Sequence, residues 1–316
     1  MIELLSLLKK AIHFTAPVLL IMGAGLAAAE ILTETGALKK ISKIGHPLSR
    51  FAHLPESCGV AVVTAVVSPL AANVMLQNMR ESGLITDRET FFASLMTGAL
   101  APLKETFTYH LPVILPALGF YAGAVYIGTL WLGTFAILLF VMVGGHLLLK
   151  NRGIEWHDAA GLAATDTSSP SLRNGIVRFL KRFCRIGGTF FVVTIIVFIL
   201  METGIMSSIE SLIMPLAQRL NLSSVILPAV AAYIASPIVG ISMMGSLLRN
   251  HTVTEHQVIV ALLFGSIFML PVLYLRFYLP QWISIFGLKL GMARGLTSAS
   301  LVMAVRIIVL IAFMSI

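Results

Sequence analysis

Charged residues are scarce in this sequence. Asp, Glu, Lys and Arg make up 11% of its 316 residues, less than half the share that is typical of soluble globular domains. Hydrophobic residues supply 58% of the chain, more than a soluble core needs. The composition therefore excludes an ordinary soluble domain and indicates a membrane protein.

Cysteine is also rare, and the common catalytic and metal-binding motifs are missing. The chain has two cysteines, Cys58 and Cys184, in unrelated contexts, which indicates neither a disulfide framework nor a cysteine-rich metal site. The histidines lack ligand spacings such as His-Glu-x-x-His. There is no phosphate-binding glycine loop and no convincing hydrolase triad. We therefore expect no metal, no cofactor and no enzymatic activity.

Long apolar stretches recur along the chain, and most of them approach the ~20 residues that a membrane-spanning helix needs. The clearest are residues 11–33, 122–149, 186–201 and 297–316. The net charge of +8 does not indicate a nucleic-acid partner, because the basic residues lie mostly in short loops, where Lys and Arg orient membrane proteins. We predict a multi-pass protein of the cell (inner or cytoplasmic) membrane, with the lipid bilayer as its partner.

An internal repeat organises the chain, because the sequence matches itself without a gap when it is shifted by 168 positions. The matching residues include Glu34-Thr35-Gly36 with Glu202-Thr203-Gly204, Ser68-Pro69 with Ser236-Pro237, Thr86 with Thr254, and Leu111-Pro112 with Leu279-Pro280. The sequence thus predicts a first repeat over 1–149, a basic cytoplasmic linker over 150–182 and a second repeat over 183–316.

Basic residues favour an inverted orientation of the second repeat. If each Ser-Pro segment is a broken or re-entrant hairpin and each repeat crosses about three times, fifteen loop Lys and Arg, including Arg294, are cytoplasmic and four are outside. If the segment spans fully, the split is twelve against seven. The positive-inside rule favours the first alternative. The predicted fold is an all-α polytopic membrane protein with two inverted-topology repeats.

The two Ser-Pro pairs are the strongest local signals for a binding site. Ser is a preferred N-cap and Pro suits the first helical position, so each pair predicts a half-helix whose free N–H groups face a solute. The alternative is that Ser-Pro merely kinks a packed helix and Asn73 bonds a neighbouring helix. The predicted solute-binding residues of this kind are Ser68, Pro69, Asn73, Ser236, Pro237, Gly240 and Ser242.

Charged residues within apolar stretches complete the candidate site. Lys104 and Glu105 fall well inside a helix that starts near Thr86, and charges at membrane depth are functional candidates; alternatively, that helix ends early and the pair lies at an interface. Glu34 and Glu202 end equivalent helices and are candidates for a coupling ion, or are simply solvated. Arg306 in the last helix either snorkels or pairs with an acid.

The segments Glu56–Asn73, Gly83–Glu89 and Leu111–Pro116 resemble the nucleoside-recognition (Gate) domain membrane proteins, above all the uncharacterised prokaryotic members with two such units. The superfamily includes concentrative nucleoside transporters, ferrous-iron transporter B and the spore maturation proteins. The resemblance implies gate helices beside a translocation path. An iron-type gate is expected to offer a thiol beside the broken helix, whereas Cys58 lies ten residues before Ser68 and its counterpart is Ile226.

Two functions are consistent with these observations. The first is a transporter or permease for a small polar solute or ion, such as a nucleoside or related metabolite, working by alternating access between the inverted repeats. The second is a non-transporting membrane scaffold or assembly factor, as in spore maturation proteins. The sequence leaves the solute, the coupling ion and the oligomeric state open, a homo-oligomer included.

Overall fold

The structure is a computed structural model that describes residues 49–149 and 222–315, together with some positions within 9–23 and 180–195. Of the described residues, 87% are helical and none lies in a strand. The all-α class predicted from the sequence is therefore confirmed. Glu34, Glu202 and nearly all of the predicted linker lie outside the described residues.

The first half of the chain folds into a short helical hairpin, a longer helix and a membrane-length helix. We number its helices α1 to α6 and call the segment with π-helical hydrogen bonding π1. The elements are α1 (Cys58–Val67), α2 (Pro69–Glu81), α3 (Asp87–Ala99), α4 (Ala101–Glu105), π1 (Thr106–Ile114), α5 (Leu115–Leu118) and α6 (Phe120–Leu148).

The second half contains the same succession of elements, with one long helix in place of α3 and α4. These are α7 (Leu227–Ala235), α8 (Pro237–Arg249), α9 (Glu255–Leu273), π2 (Tyr274–Tyr278), α10 (Leu279–Phe286) and α11 (Leu288–Met314). Helices α2 and α8 begin and end at positions that the repeat makes equivalent, and π1 and π2 begin at equivalent positions too. The repeat predicted from the sequence is thus present in the described local structure.

Backbone geometry repeats as closely as the element boundaries. Gly119 has φ of 80°, and its repeat equivalent Gly287 has φ of 84°. A left-handed residue also ends each second hairpin arm, Gly83 in the first repeat and His251 in the second. Glycine adopts this conformation without steric cost. The two repeats therefore share a chain path through their turns, although one of the turn residues is not glycine.

A capping box defines where the long helix of each repeat starts. Thr86 accepts a hydrogen bond from the N–H of Glu89 and its own N–H donates to the Glu89 carboxylate at 2.7 Å. Thr254 and Gln257 make the same reciprocal pair. Each satisfies two N–H groups that a helix start otherwise leaves unpaired, and a lost cap of this type costs about 1 kcal/mol.

Three helical stretches among the described residues are long and apolar enough to cross a bilayer: Phe120–Leu148, Glu255–Phe286 and Leu288–Met314. The shortest has 27 residues, or roughly 40 Å at 1.5 Å per residue, which exceeds the hydrocarbon thickness. Many large apolar side chains on α6 and α11, such as Phe135 and Ile308, are exposed. The chain is a membrane protein, and its last span starts at Leu288, earlier than the apolar stretch indicated.

The described fold forms two compact units, and each draws on both repeats. Unit 1 comprises residues 1–101, 137–196 and 279–295. Unit 2 comprises residues 102–136, 197–278 and 296–316. The bounds of these units do not coincide with the predicted bounds of the two repeats and the linker. Those predicted bounds describe the sequence repeat and stay a prediction.

A short helix is exchanged between the repeats. In unit 1, α10 of the second repeat packs on α2 of the first, and Arg80 donates a hydrogen bond to the carbonyl of Phe286 at 3.0 Å. In unit 2, α5 of the first repeat packs on α8 of the second, and Arg249 donates to the carbonyl of Ala117 at 3.4 Å. Each arginine thereby supplies a partner to a carbonyl at the end of an exchanged helix.

The contact between α5 and α8 depends on a glycine. A Cβ atom at Gly245 would meet the carbonyl oxygen of Ala117 well inside the van der Waals distance. At Gly128 in α6, also in unit 2, a Cβ would meet nothing within 4 Å. Gly245 therefore permits the close approach of the exchanged helix, whereas Gly128 has no such constraint.

We expect Gly245→Ala to lower the thermal unfolding temperature of the detergent-purified protein, because the new methyl group forces α5 away from α8. Gly128→Ala is the matched control. It adds the same methyl group in open space and gains about 0.5–1 kcal/mol of helix propensity. Equal unfolding temperatures for the two variants would contradict the described contact.

Candidate functional site

Each Ser-Pro pair interrupts a helix with a single extended residue. Ser68 has φ and ψ of −148° and 100°, and Ser236 has −151° and 105°. Both serines still close one backbone bond on each side, since Ser68 donates to Thr64 and accepts from Ala72. The predicted half-helix start with proline at its first position is confirmed in both repeats.

The arms on either side of each break pack against each other. Thr64 Oγ1 donates to the Met75 sulfur across the first break at 3.4 Å. In the second, a Cβ at Gly240 would collide with the backbone of Tyr233. Gly240, predicted to contact a solute, therefore has a packing role here: it allows α8 to approach α7.

The two breaks differ in how their serine hydroxyl is used. Ser68 Oγ accepts a hydrogen bond from the N–H of Ala71 at 3.2 Å, which caps α2. Ser236 makes no such side-chain cap on α8. Ile238 and Val239 in the first turn of α8 are exposed. The second half-helix thus lacks the side-chain cap of the first, and its first-turn N–H groups can donate to a polar group of a solute.

Asn73 lies in unit 1 and faces a helix. It is 3% exposed, and its side-chain oxygen accepts a hydrogen bond from Thr97 of α3 at 3.3 Å. The sequence left open whether this amide bonds a solute or a neighbouring helix. In the structure, the Asn73 amide bonds the neighbouring helix α3.

The remaining predicted residues in unit 2 lie on two different helices. Ser242 is exposed on α8, and Glu105 is exposed at the end of α4. Lys104 precedes Glu105 in the same short helix. The helix that starts after Thr86 is interrupted at Leu100, so the pair lies in a short continuation of that helix rather than well inside it.

Two polar contacts between helices, which the predicted site does not include, lie in unit 2. The hydroxyls of Tyr126 on α6 and Tyr233 on α7 are 3.0 Å apart. Arg306 on α11 is 5% exposed and donates to the backbone carbonyl of Ser266 on α9. In the sequence, Arg306 is recognisable as a charge within an apolar stretch, whereas nothing in the sequence indicates that Tyr126 and Tyr233 meet.

A second buried arginine corrects the sequence analysis. The sequence indicates a loop position for Arg294, and that position is wrong, because Arg294 lies within α11 and is 2% exposed. Its guanidinium stacks on Trp282 at 4.2 Å from the ring centroid and lies 5.8 Å from that of Phe286. Cation–π contact of this kind stabilises a desolvated guanidinium. Without Arg294, the inverted orientation has fourteen cytoplasmic loop Lys and Arg (fifteen less one) against four outside. The positive-inside rule therefore still favours it.

The two buried arginines meet equivalent points of the two repeats. Arg294 lies against Gly98 in unit 1, where a Cβ would come within 2.8 Å of the guanidinium. Arg306 contacts Ser266 in unit 2. Ser266 is the repeat equivalent of Gly98, so α11 delivers one cation to the same position of each repeat. Among the residues described, no group of three His, Cys, Asp or Glu could hold a metal.

Comparison with known proteins identifies relatives over almost the whole chain. The Uncharacterized protein MJ1556 of Methanocaldococcus jannaschii is 30% identical over 297 residues, 92% of this chain and 90% of the relative. Uncharacterized protein MJ0880 of the same organism is 23% identical over 304 residues, 95% of this chain and 98% of its own length.

A third relative from that archaeon, Uncharacterized protein MJ0871, is 24% identical over 311 residues, 97% of this chain and 95% of the relative. No family model matches the chain and no solved structure does. The similarity to MJ1556 covers 92% of this chain, which includes most of both repeats. This chain therefore belongs to the family of the Methanocaldococcus jannaschii protein MJ1556.

Proposed function

We propose that this membrane protein carries a small polar solute across the cell membrane by alternating access between two inverted repeats. One observation carries the proposal: the same helix break, with nearly the same backbone angles, occurs twice at equivalent positions within apolar segments. A broken helix exposes backbone polar groups, which lipid does not tolerate unless protein or a water-filled cavity surrounds them. Paired broken helices are a recurring way of building secondary transporters.

The resemblance to the Gate domain proteins agrees with this function and suggests a nucleoside or related metabolite as the solute. Polar groups in the helices around the breaks give further support. Asn73 and Arg306 are both at least 95% buried, and polar residues in membrane helices commonly mark solute pathways. We propose no enzymatic step, and the alternative remains a membrane scaffold whose repeats enclose no path.

Water access to the second break separates the transporter from the scaffold. We expect Ser236→Cys, made in a Cys184→Ser background that leaves only the buried Cys58, to react with a membrane-impermeant maleimide, because a solute path is hydrated. Ser94→Cys is the control, since Ser94 is fully buried on α3 and should stay unlabelled. Mass spectrometry of the labelled protein measures both.

A Ser236→Cys protein as unreactive as the Ser94→Cys control would favour the scaffold. Labelling that falls when nucleosides are added would support the transporter directly, because an occupied path shields the thiol.

The role of Asn73 can be divided between packing and solute binding. Asn73→Ala and Thr97→Val both remove the hydrogen bond between α2 and α3, so each should lower the stability by about 1 kcal/mol. Only Asn73→Ala should also abolish stabilisation by a bound nucleoside, because Thr97→Val leaves the amide in place. Thermal unfolding with and without nucleosides measures both effects. Equal responses of the two variants to solute would assign Asn73 to packing alone.

A further inference from the structure

The second arms of the two hairpins, α2 and α8, are equivalent in the repeat but unequally buried. In α2, eight of thirteen residues are buried and Glu81 alone is exposed. In α8, four of thirteen residues are buried and six are exposed, among them Ile238, Val239 and Met243. Lipid can cover these apolar side chains, but it supplies no fixed partner. Segments with few buried contacts open more readily than the rest of a fold.

Ion pairs fix the C-terminal end of α2 within unit 1. Arg80 pairs with Asp87 at the start of α3 at 2.7 Å and also donates to the carbonyl of Phe286 in α10. Arg185, which follows the predicted linker, pairs with Glu81 at 2.6 Å. Three separate segments of the chain thereby hold the end of this arm.

Gln77 links the two ion pairs. Its amide nitrogen donates to Glu81 at 3.0 Å, and its oxygen accepts from Arg80 at 3.4 Å. A single exposed ion pair contributes little to stability, whereas charges joined in a network contribute more. We call these five side chains the α2 latch: Gln77, Arg80, Glu81, Asp87 and Arg185.

The second repeat does not reproduce these contacts. The residues of α2 that bond to other elements, Asn73, Arg80 and Glu81, correspond to Ile241, Leu248 and Arg249. Among the described residues, one side chain of α8 forms a hydrogen bond to another helix, the 3.4 Å bond from Arg249 to the carbonyl of Ala117. The closest approaches of α8 to its neighbours are at Gly240 and Gly245, which have no side chain to hold it.

The first arm of the second hairpin, α7, is held in the core of unit 2. Tyr233 is fully buried, and its hydroxyl lies 3.0 Å from that of Tyr126 on α6. Val230 belongs to the same buried core. The extended residue Ser236 separates this buried arm from α8. A residue at the end of an element is where a hinge absorbs a change of backbone angles.

We propose that α8 is the arm that moves: it opens and closes against unit 2 about Ser236, while α2 is held in place by the α2 latch. This deepens the proposed function and rests on it for the use of the motion, which is to admit the solute at the second break. Opening exposes the first-turn N–H groups of α8, which the Ser236 side chain does not cap. The transport cycle then has one moving arm and one fixed arm, although the two share a backbone path.

Hydrogen–deuterium exchange of the full chain in lipid nanodiscs, read by mass spectrometry, tests the difference between the arms. We expect the amides of residues 237–249 to exchange at least about tenfold faster than those of residues 69–81, after correction for intrinsic rates, because exchange reports the opening of a helix. Equal rates, or slower exchange in α8, would overturn the proposal.

Variants of the α2 latch test why α2 stays closed. Glu81→Arg, which introduces the residue type of the second repeat, and Arg185→Glu each break one ion pair and should raise the exchange of α2 about two- to fivefold. The two changes combined rebuild the ion pair in reverse and should return the exchange of α2 towards the wild-type rate. Lys289→Glu, at an exposed position of unit 1, is the control and should leave α2 unchanged.

The latch is refuted if neither single variant alters the exchange of α2, if the control raises it equally, or if the combined variant exchanges as fast as the single ones. Uptake of adenosine into proteoliposomes separates this inference from the proposed function. Uptake by a protein whose α2 and α8 exchange equally would refute the moving arm and leave transport standing. Faster exchange of α8 in a protein without uptake would leave the moving arm standing and count against transport.

Discussion

The helix breaks are governed by the need to satisfy backbone polar groups in apolar surroundings. A helix in lipid satisfies its own N–H and C=O groups, so any interruption must be covered by protein or water. Here the interruption is kept to one residue: Ser68 and Ser236 each retain a hydrogen bond to the helix before and to the helix after. The two arms of each hairpin pack against each other, closely at Gly240 in the second repeat, and this packing covers the backbone groups at the break.

The same requirement explains why the ends of the exchanged helices carry an arginine partner. Helices α5 and α10 end at Leu118 and Phe286, where carbonyl groups lose their intrahelical donors. Arg249 of the second repeat's hairpin donates to the carbonyl of Ala117 in α5, and Arg80 of the first repeat's hairpin donates to the carbonyl of Phe286 in α10. The repeat equivalent of Arg80 is Leu248 rather than Arg249, so the contact is reproduced although the arginine is displaced by one position.

Local rules predicted the parts of this fold that depend on neighbouring residues. The N-cap preference of serine predicted the starts of α2 and α8, because a cap involves only residues a few positions apart. The repeat predicted that the two halves would share a succession of elements. Composition predicted the all-helical class and membrane location. None of these required knowledge of which helices meet.

What the sequence did not predict depends on distant contacts. Arg294 and Lys289 look alike as charges near a helix start, and contacts with distant residues such as Trp282 and Phe286 bury Arg294. Tyr126 and Tyr233 are far apart in the chain, and a tyrosine in an apolar stretch carries no local sign of its partner. The hydrogen bond from Thr97 to Asn73 was open for the same reason. The candidate binding residues were thus easier to identify than their surroundings.

The exchanged short helices make the two repeats depend on each other for folding. Neither repeat contains the helix that covers its own hairpin, so a single repeat in isolation lacks a packing partner for both α2 and α5, or for both α8 and α10. Proteolytic cleavage between the repeats would leave two fragments that still complement each other. By the same logic, an ancestral one-repeat chain could complete this architecture only by pairing with a second copy, and gene fusion would then have made that pairing permanent.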